Sequence, residues 1–171
     1  MEKPDRIYLI GMMGSGKSTV SQSLARQVGM QAVDLDREIE QSSGKSISQI
    51  FIEDGEKAFR VMERDALRAT INLHQVVIAC GGGTPCHWEG AAFMHRHGTM
   101  IYLRATIETL LSRLNDDSTS RPLLNPDNHA ALDSLLAARS QVYESAQVIV
   151  QVDGRSVDDI VSEICRQLDL A

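Results

Sequence analysis

One segment constrains the fold of this chain more than any other: residues 9–20 read LIGMMGSGKSTV. Its glycines, lysine and serine satisfy the pattern G-x-x-x-x-G-K-[ST] of a phosphate-binding loop, and they are Gly11, Gly16, Lys17 and Ser18. The segment follows a short apolar run, RIYLI, and precedes apolar residues spaced four apart at Val20, Leu24 and Val28. The sequence therefore predicts a strand, a glycine-rich turn and a helix in that order.

The residue types in this loop predict what it binds. Glycines let successive backbone N–H groups surround a phosphate at the start of a helix. Lys17 reaches the β- and γ-phosphates of a nucleotide, and the Ser18 hydroxyl is a ligand for Mg²⁺. We therefore expect a magnesium–nucleoside triphosphate here.

The rest of the chain alternates between strand and helix patterns. Further strands are predicted at 30–34, 75–80, 99–104 and 147–152, and further helices at 55–70, 106–114, 129–143 and from about 157. Such alternation is typical of an α/β fold with a five-stranded parallel sheet and helices on both faces. Residues 35–60 are predicted to form short helical pieces, and residues 115–128 a polar loop.

Length and composition restrict the class of protein. A chain of 171 residues predicts a single domain, residues 1–171. The net charge of −6 argues against a general nucleic-acid or membrane binder. The three cysteines have no C-x-x-C spacing, the N-terminus is charged and no long apolar run is present, which together favour a cytoplasmic protein. No exposed apolar stripe remains after the core is assigned, so we expect a monomer.

Acidic residues indicate which class of phosphate-binding protein this is. The strand VVIACGGG ends without the carboxylate that motor and transport ATPases use for Mg²⁺, and no N-K-x-D guanine motif is present. Asp34, in VDLD, supplies a carboxylate at the end of the second strand, which favours a small-molecule kinase. Asp34 is predicted to bind Mg²⁺ through water, and Asp36 to orient or deprotonate an acceptor hydroxyl. Alternatively, both are helix-start acids.

Three arginines are candidate anion ligands. Arg139 continues the apolar stripe of Leu132, Leu135 and Leu136, so we expect it to face inward and meet an anion. Arg121 precedes Pro122 in the polar loop and is placed to cover phosphates, or is an exposed loop residue. Arg60 lies at helical spacing from Glu56 and Glu63, and a solvated ion pair is the alternative for it.

The segment GGGTP, residues 81–85, has two interpretations. It is either a turn that needs positive φ, or a place where the backbone approaches a ligand closely. The carboxyl edge of a parallel sheet, where ligands bind, favours the second. Trp88 is interpreted as a packing residue.

These segments together resemble the shikimate kinase family over nearly the whole chain. GMMGSGKST, DLDREIE, GKSISQIFIEDGEKAFRVMER, VVIACGGG, RPLL and RSQVYESA stand in that family's order and spacing. The resemblance implies a three-layer P-loop kinase fold with a substrate-binding insert at about 35–63 and a lid at about 114–126. It also implies transfer of the γ-phosphate of ATP to the 3-hydroxyl of shikimate, in chorismate and aromatic amino acid biosynthesis.

The resemblance assigns the following roles to residues of this sequence. The nucleotide would be bound by Gly14, Ser15, Gly16, Lys17, Ser18 and Thr19, with Arg113, Arg121 and Arg155. Shikimate would be bound by Asp36, Gly82 and Gly83, with Arg60 and Arg139 on its carboxylate. Ser18 and Asp34 would hold one Mg²⁺. Lys17, Asp36 and Arg121 would be the catalytic residues.

Two alternatives compete with this hypothesis. One is a related kinase for another small acid or polyol such as gluconate. The other is a regulatory domain that binds ATP without turnover. The set Lys17, Ser18, Asp34 and Asp36 argues against the latter, because a domain that only binds ATP needs no group for the acceptor hydroxyl.

Overall fold

A five-stranded parallel sheet forms the centre of the molecule. The computed structural model describes residues 4–116 and 129–170. The strand order is β2-β3-β1-β4-β5, with every described pair parallel. The strands are β1 Arg6–Ile10, β2 Gln31–Asp34, β3 Val76–Ala79, β4 Thr99–Arg104 and β5 Val148–Gln151. All five predicted strands are confirmed, each within about one residue of its expected ends.

Both faces of this sheet are covered by helices. Every residue of β3 and residues 100–103 of β4 are buried, and successive strand residues point to opposite faces. The helices are α1 Lys17–Val28, α2 Leu35–Ser43, α3 Ile47–Glu53, α4 Gly55–Ala69, α5 Gly90–His97, α6 Ile107–Asp116, α7 His129–Tyr143 and α8 Val157–Gln167. The predicted α/β class and the long helices are therefore confirmed.

The strand register brings the ends of three strands together. Leu9 of β1 pairs with Ala79 of β3, and Ala79 also pairs with Asp34 of β2. The loops that leave these strands are the phosphate-binding loop, the three glycines and the start of α2. Because parallel strands present their carboxyl ends at one edge, the three loops share one rim of the sheet.

A second, smaller apolar cluster lies beside the main core. It consists of Ile39, Ile50 and Phe59, contributed by α2, α3 and α4. A capping box between Ser46 and Gln49 fixes the start of α3. The predicted helical pieces of residues 35–60 are therefore a packed unit. Across the described residues, no helix combines the length and apolar character that crossing a membrane requires.

Candidate active site at the carboxyl edge of the sheet

The phosphate-binding loop has the backbone that its glycines predict. Gly14 and Gly16 have φ of 82° and 94°, in the left-handed region, and Gly16 is the N-cap of α1. The Lys17 ammonium donates hydrogen bonds to the carbonyl oxygens of Gly11 and Met12, at 2.8 and 2.9 Å. The N-terminus of α1 and a buried ammonium thus face one concave loop, which suits a phosphate anion.

Ser18 and Asp34 form a pair of oxygen ligands. The Ser18 hydroxyl donates to Oδ2 of Asp34 over 2.5 Å. The other carboxylate oxygen, Oδ1, caps α2 by accepting from the backbone N–H groups of Asp36 and Arg37, at 3.1 and 3.4 Å. A hydroxyl and a carboxylate are the hard oxygen donors that Mg²⁺ prefers, so these residues fit that ion. Asp34 is both the helix-start acid of the alternative interpretation and a metal-ligand candidate.

The three glycines after β3 are the point where the remaining candidates converge. A Cβ added at Gly83 would lie 2.3 Å from Nη1 of Arg60, and one at Gly82 would lie 2.9 Å from Nη1 of Arg139. One at Gly81 would lie 3.3 Å from Oδ1 of Asp36. None of these three glycines has a positive φ, so the interpretation that they form a turn needing positive φ is wrong. They are glycines because arginine and acidic side chains pack directly on their backbone.

Arg60 belongs to a buried ion pair. Its side chain is 8% exposed, and its Nη1 donates to Glu63 over 2.9 Å. Glu63 is 3% exposed and also accepts from the Thr84 hydroxyl over 2.7 Å. A second, half-exposed carboxylate, Glu56, lies 3.2 Å from Nη2 of Arg60. The solvated ion pair considered from the sequence is therefore wrong, because Arg60 is fixed in the interior beside the glycines.

Arg139 faces inward, as its place in the apolar stripe predicts. It is 6% exposed, and its Nη1 lies 4.0 Å from the Met12 sulfur. No carboxylate lies within ion-pair distance of it in the described part of the chain. A buried guanidinium without a counterion is strongly unfavourable unless an anion is supplied to it. Arg139 therefore supplies a positive charge without an ion-pair partner among the described residues, and the guanidinium of Arg60, paired with Glu63, lies beside the same glycines.

Three residues that set this geometry are not predicted to do so from the sequence: Tyr143, Glu63 and Met12. The Tyr143 hydroxyl donates to the Gly82 carbonyl over 2.7 Å and lies 3.7 Å from the Met12 sulfur. Burial raises the pKa of Tyr143 despite the nearby Arg139, so its hydroxyl stays a donor. The available signal was position, because Tyr143 follows Arg139 by four residues and occupies the same helix face.

Burial is the main cause of the pKa shifts of groups beside this site. Burial lowers the pKa of His87 and the Arg60 charge lowers it further, so His87 is neutral at pH 7. Burial raises the pKa of the Cys80 thiol. Burial also raises the pKa of the Cys86 thiol, although the charges of Arg139 and Arg60 act to lower it. Both thiols stay protonated near neutral pH, and neither is an activated nucleophile.

The three arginines assigned to the nucleotide have different surroundings. Arg113, in α6, donates to the Gly14 carbonyl over 3.2 Å, so its guanidinium lies on the phosphate-binding loop. Arg155 donates to the carbonyls of Gln151 and Asp159, at 3.1 and 3.0 Å, and pairs with Glu163. Arg121 lies outside the described residues, as do residues 117–126 of the predicted lid. The roles of all three stay predictions.

A family model, curated relatives and solved structures all relate this chain to the same family. The family model described as shikimate kinase matches residues 13–169. A shikimate kinase from Salinibacter ruber is 40% identical over 170 residues, covering 94% of this chain and 83% of the relative. The structure of an Acinetobacter baumannii shikimate kinase in complex with shikimate superposes with a TM-score of 0.90 at 33% identity, covering 96% and 92% of the chains.

A kinase for a different acceptor shares only the fold. A gluconokinase from Sinorhizobium meliloti superposes with a TM-score of 0.63 at 18% identity, covering 99% of this chain and 94% of that one. The three-layer P-loop kinase architecture is therefore common to several kinases. Similarity at this level carries no information about the acceptor.

Proposed function

This chain belongs to the shikimate kinase family, and on that premise we propose which of its residues carry the reaction. The enzyme transfers the γ-phosphate of ATP to the 3-hydroxyl of shikimate, giving shikimate 3-phosphate and ADP, in the route to chorismate and the aromatic amino acids. ATP and shikimate are thus its small-molecule partners.

The acidic acceptor is proposed to bind through its carboxylate. Arg139 is the residue that carries this assignment, because its charge is buried and no described carboxylate lies within ion-pair distance. Arg60 completes the pair of arginines, and Glu63 and Thr84 hold it in position. The backbone of Gly82 and Gly83 lines the same space. A carboxylate bound by two guanidinium groups is selected over a neutral polyol.

Asp36 is proposed to act on the acceptor hydroxyl. Its carboxylate lies beside Gly81, on the same rim as the two arginines, and its backbone N–H donates to Asp34, which accepts from Ser18 of the phosphate-binding loop. The hydroxyl oxygen forms a bond to the γ-phosphorus while the bond from that phosphorus to the β,γ-bridging oxygen breaks. Asp36 orients the hydroxyl and accepts its proton. Lys17 stabilises the charge on the phosphoryl oxygens in transit.

The nucleotide is proposed to lie on the glycine-rich loop from Gly14 to Thr19. Arg113 already contacts this loop, and Arg155 and Arg121 would complete the nucleotide contacts. Ser18 and Asp34 would hold one Mg²⁺, which neutralises phosphate charge when it is bound. Residues at about 35–63 are inferred to form the substrate-binding insert, and those at about 114–126 the lid.

The cellular context is inferred from composition. We expect a single-domain monomer in the cytoplasm, without nucleic-acid or membrane partners, since the net charge is −6. Size-exclusion chromatography with light scattering tests the oligomeric state. A dimer would overturn the expectation of a monomer and would leave the site assignments unchanged.

Acceptor specificity is the decisive test of the pocket assignments. Release of ADP from Mg²⁺-ATP is measured with shikimate, gluconate, AMP or no acceptor. We expect turnover with shikimate only, and we expect Arg139→Ala to raise the KM for shikimate while the KM for ATP stays the same. Unchanged kinetics with shikimate in Arg139→Ala would contradict the proposed carboxylate site. Faster turnover with gluconate would assign the pocket to another acceptor.

A further inference from the structure

A separate cavity lies between α4, α5 and the turn that follows the three glycines. Its volume is about 90 Å³, several times the roughly 10–15 Å³ that a cavity needs to hold one water molecule. Arg64 and Arg68 line it from α4, Arg96 and Phe93 from α5, and Trp88 from the intervening turn. None of these five residues belongs to the phosphoryl-transfer site described above.

Two arginines of this cavity have no ion-pair partner among the described residues. Arg68 and Arg96 come from different helices, both are exposed, and neither makes an ion pair within residues 4–116 and 129–170. Arg64 pairs with Asp65 over 2.7 Å. The rim also carries Glu89, which lies beyond ion-pair distance of every described arginine. Two guanidinium groups that line one cavity from separate elements favour a carboxylate or another oxyanion.

The cavity also presents an aromatic surface. Trp88 is 49% exposed, so the interpretation of Trp88 as a packing residue is wrong. The Arg64 guanidinium lies 5.3 Å from its ring centroid. Trp88 and Glu89 have φ of 53° and 58°, a conformation that residues other than glycine rarely adopt. Strained backbone that holds an exposed ring beside arginines is more typical of a binding surface than of packing.

We propose that this cavity is a second ligand site, which binds a small aromatic carboxylate. The ring lies against Trp88 and Phe93, and the carboxylate is bound by Arg68 and Arg96. The site shares walls with the proposed shikimate pocket, because Glu63 and Thr84 line the cavity and also hold Arg60. A carboxylate beside Glu63 adds negative charge near Arg60, which weakens the attraction of Arg60 for the carboxylate of the acceptor.

The sequence contains one tryptophan, so its fluorescence reports on this cavity directly. The full-length protein is titrated with benzoate in the absence of ATP and shikimate. We expect a saturable fluorescence change, with the Kd raised at least about tenfold in Arg68→Ala and in Arg96→Ala. Arg26→Ala, an exposed arginine of α1, is the matched control and leaves the Kd unchanged. Benzyl alcohol lacks the charge and inorganic phosphate lacks the ring, so we expect each to bind at least about tenfold more weakly than benzoate.

Two results would overturn the proposal. One is a fluorescence change that fails to saturate or that has the same Kd in all four proteins. The other is binding that Arg139→Ala abolishes and Arg68→Ala preserves, which would place benzoate in the shikimate pocket. Because this titration needs no turnover, it is independent of the proposed kinase assignments. Thermal unfolding of each variant confirms that it is folded.

Kinetics test the connection between the two sites. We expect benzoate to raise the KM for shikimate about two- to fivefold in the wild type. In binding titrations without ATP, benzoate should raise the Kd of shikimate, and shikimate should raise the Kd of benzoate by the same factor. Arg68→Ala removes both effects. If benzoate raises the KM for shikimate equally in Arg68→Ala, the effect is direct competition at Arg60 and Arg139, and the connection through Glu63 is refuted.

Discussion

We expect Arg139 to contribute to ligand binding more than to stability, because no carboxylate of the described residues lies within ion-pair distance of it. In Arg139→Ala we expect the KM for shikimate to rise roughly tenfold to a hundredfold, from the loss of a charge-assisted contact of about 1.5–3 kcal/mol. We expect the melting temperature of the ligand-free protein to stay the same or rise, since a buried charge is removed. Steady-state kinetics and thermal shift measurements with and without shikimate check both points.

Arg166→Ala is the control for this substitution, because Arg166 is an exposed arginine of α8. It should change neither the KM nor the stabilisation by shikimate. A large fall in the melting temperature of ligand-free Arg139→Ala would show that Arg139 has a structural partner. That result would contradict the assignment of its charge to the ligand.

We propose that position 83 requires glycine because the Arg60 side chain occupies the space of a Cβ, and not because the backbone there has a conformation that only glycine adopts. Its φ is −85°, which any residue adopts, but an added Cβ would lie 2.3 Å from Nη1 of Arg60. Gly83→Ala therefore displaces the guanidinium, and we expect the KM for shikimate to rise at least about tenfold. The kcat and KM for shikimate are measured beside the unfolding free energy.

Gly44 is the control, because its backbone conformation favours glycine while the space beside it is open. It has φ of 69° at the C-cap of α2, and nothing lies within 4 Å of an added Cβ. Gly44→Ala should lower the unfolding free energy by about 1 kcal/mol and leave the KM unchanged. If Gly83→Ala leaves the KM unchanged as well, Arg60 is not a shikimate ligand.

At the scale of elements, one residue links the start of α2 to the proposed metal site. Asp34 caps α2 through Oδ1 and accepts from Ser18 through Oδ2. Asp34→Asn keeps a side chain that caps helices well, so we expect its unfolding free energy to stay within about 0.5 kcal/mol of the wild type. Asp34→Ala loses the cap and is expected to be about 1 kcal/mol less stable.

The two variants separate the cap from the charge. Both should need a higher Mg²⁺ concentration for half-maximal activity, because both lack the carboxylate. Activity is followed across a Mg²⁺ titration at saturating ATP and shikimate, and stability is followed by urea unfolding. An unchanged Mg²⁺ requirement in Asp34→Asn would remove Asp34 from the metal site and leave it as a helix cap.

Local patterns explain why the elements were predictable. Apolar runs bounded by glycine or polar residues gave the five strands, and four-residue spacing gave α1, α6 and α8. Residues 35–60 were less predictable, because Ile39, Ile50 and Phe59 form a small core that is visible only after three short helices pack. The reason for the three glycines was likewise tertiary, since arginines from α4 and α7 fill the space beside them.

At the scale of the whole molecule, the site is assembled from segments far apart in the sequence. The order β2-β3-β1 places the glycines after β3 between Asp34 and the phosphate-binding loop, and α7 adds Arg139. Arg139 was predictable because it interrupts an apolar stripe. Glu63 was not, since nothing local distinguishes a buried glutamate from an ordinary helix residue, and the one signal for Tyr143 was its place four residues after Arg139.

Several connections between elements depend on ionised carboxylates, which predicts loss of stability in acid. Hydrogen bonds lower the pKa of Asp5, mainly from the Gln75 backbone, and that of Glu163, mainly from Arg155. Burial alone would raise the pKa of Asp153. Asp153 lies in the loop between β5 and α8 and accepts hydrogen bonds from Thr109 and from the Thr106 backbone, which lie beyond β4. These hydrogen bonds outweigh burial and hold the pKa of Asp153 well below its usual range.

The sign of the effect follows from these lowered values. In the unfolded chain Asp and Glu titrate near about 3.9 and 4.3, so the stabilisation is fully present above about pH 5. As the pH falls below about 4, the unfolded chain takes up protons that the folded protein resists, and the stabilisation is lost. Asp153→Asn removes one such group, so the wild type should exceed it in unfolding free energy at pH 7, with the difference shrinking at pH 3.

Urea unfolding of both proteins at pH 7, 5, 4 and 3 measures this difference. Asp158→Asn is the matched control, because Asp158 is an exposed carboxylate in the first turn of α8, and no hydrogen bond or ion pair of its side chain is found in the described chain. We expect its difference from the wild type to be small at each pH. A difference for Asp153→Asn that stays constant from pH 7 to pH 3 would show that Asp153 joins the two loops through hydrogen-bond geometry alone, without a contribution from its charge.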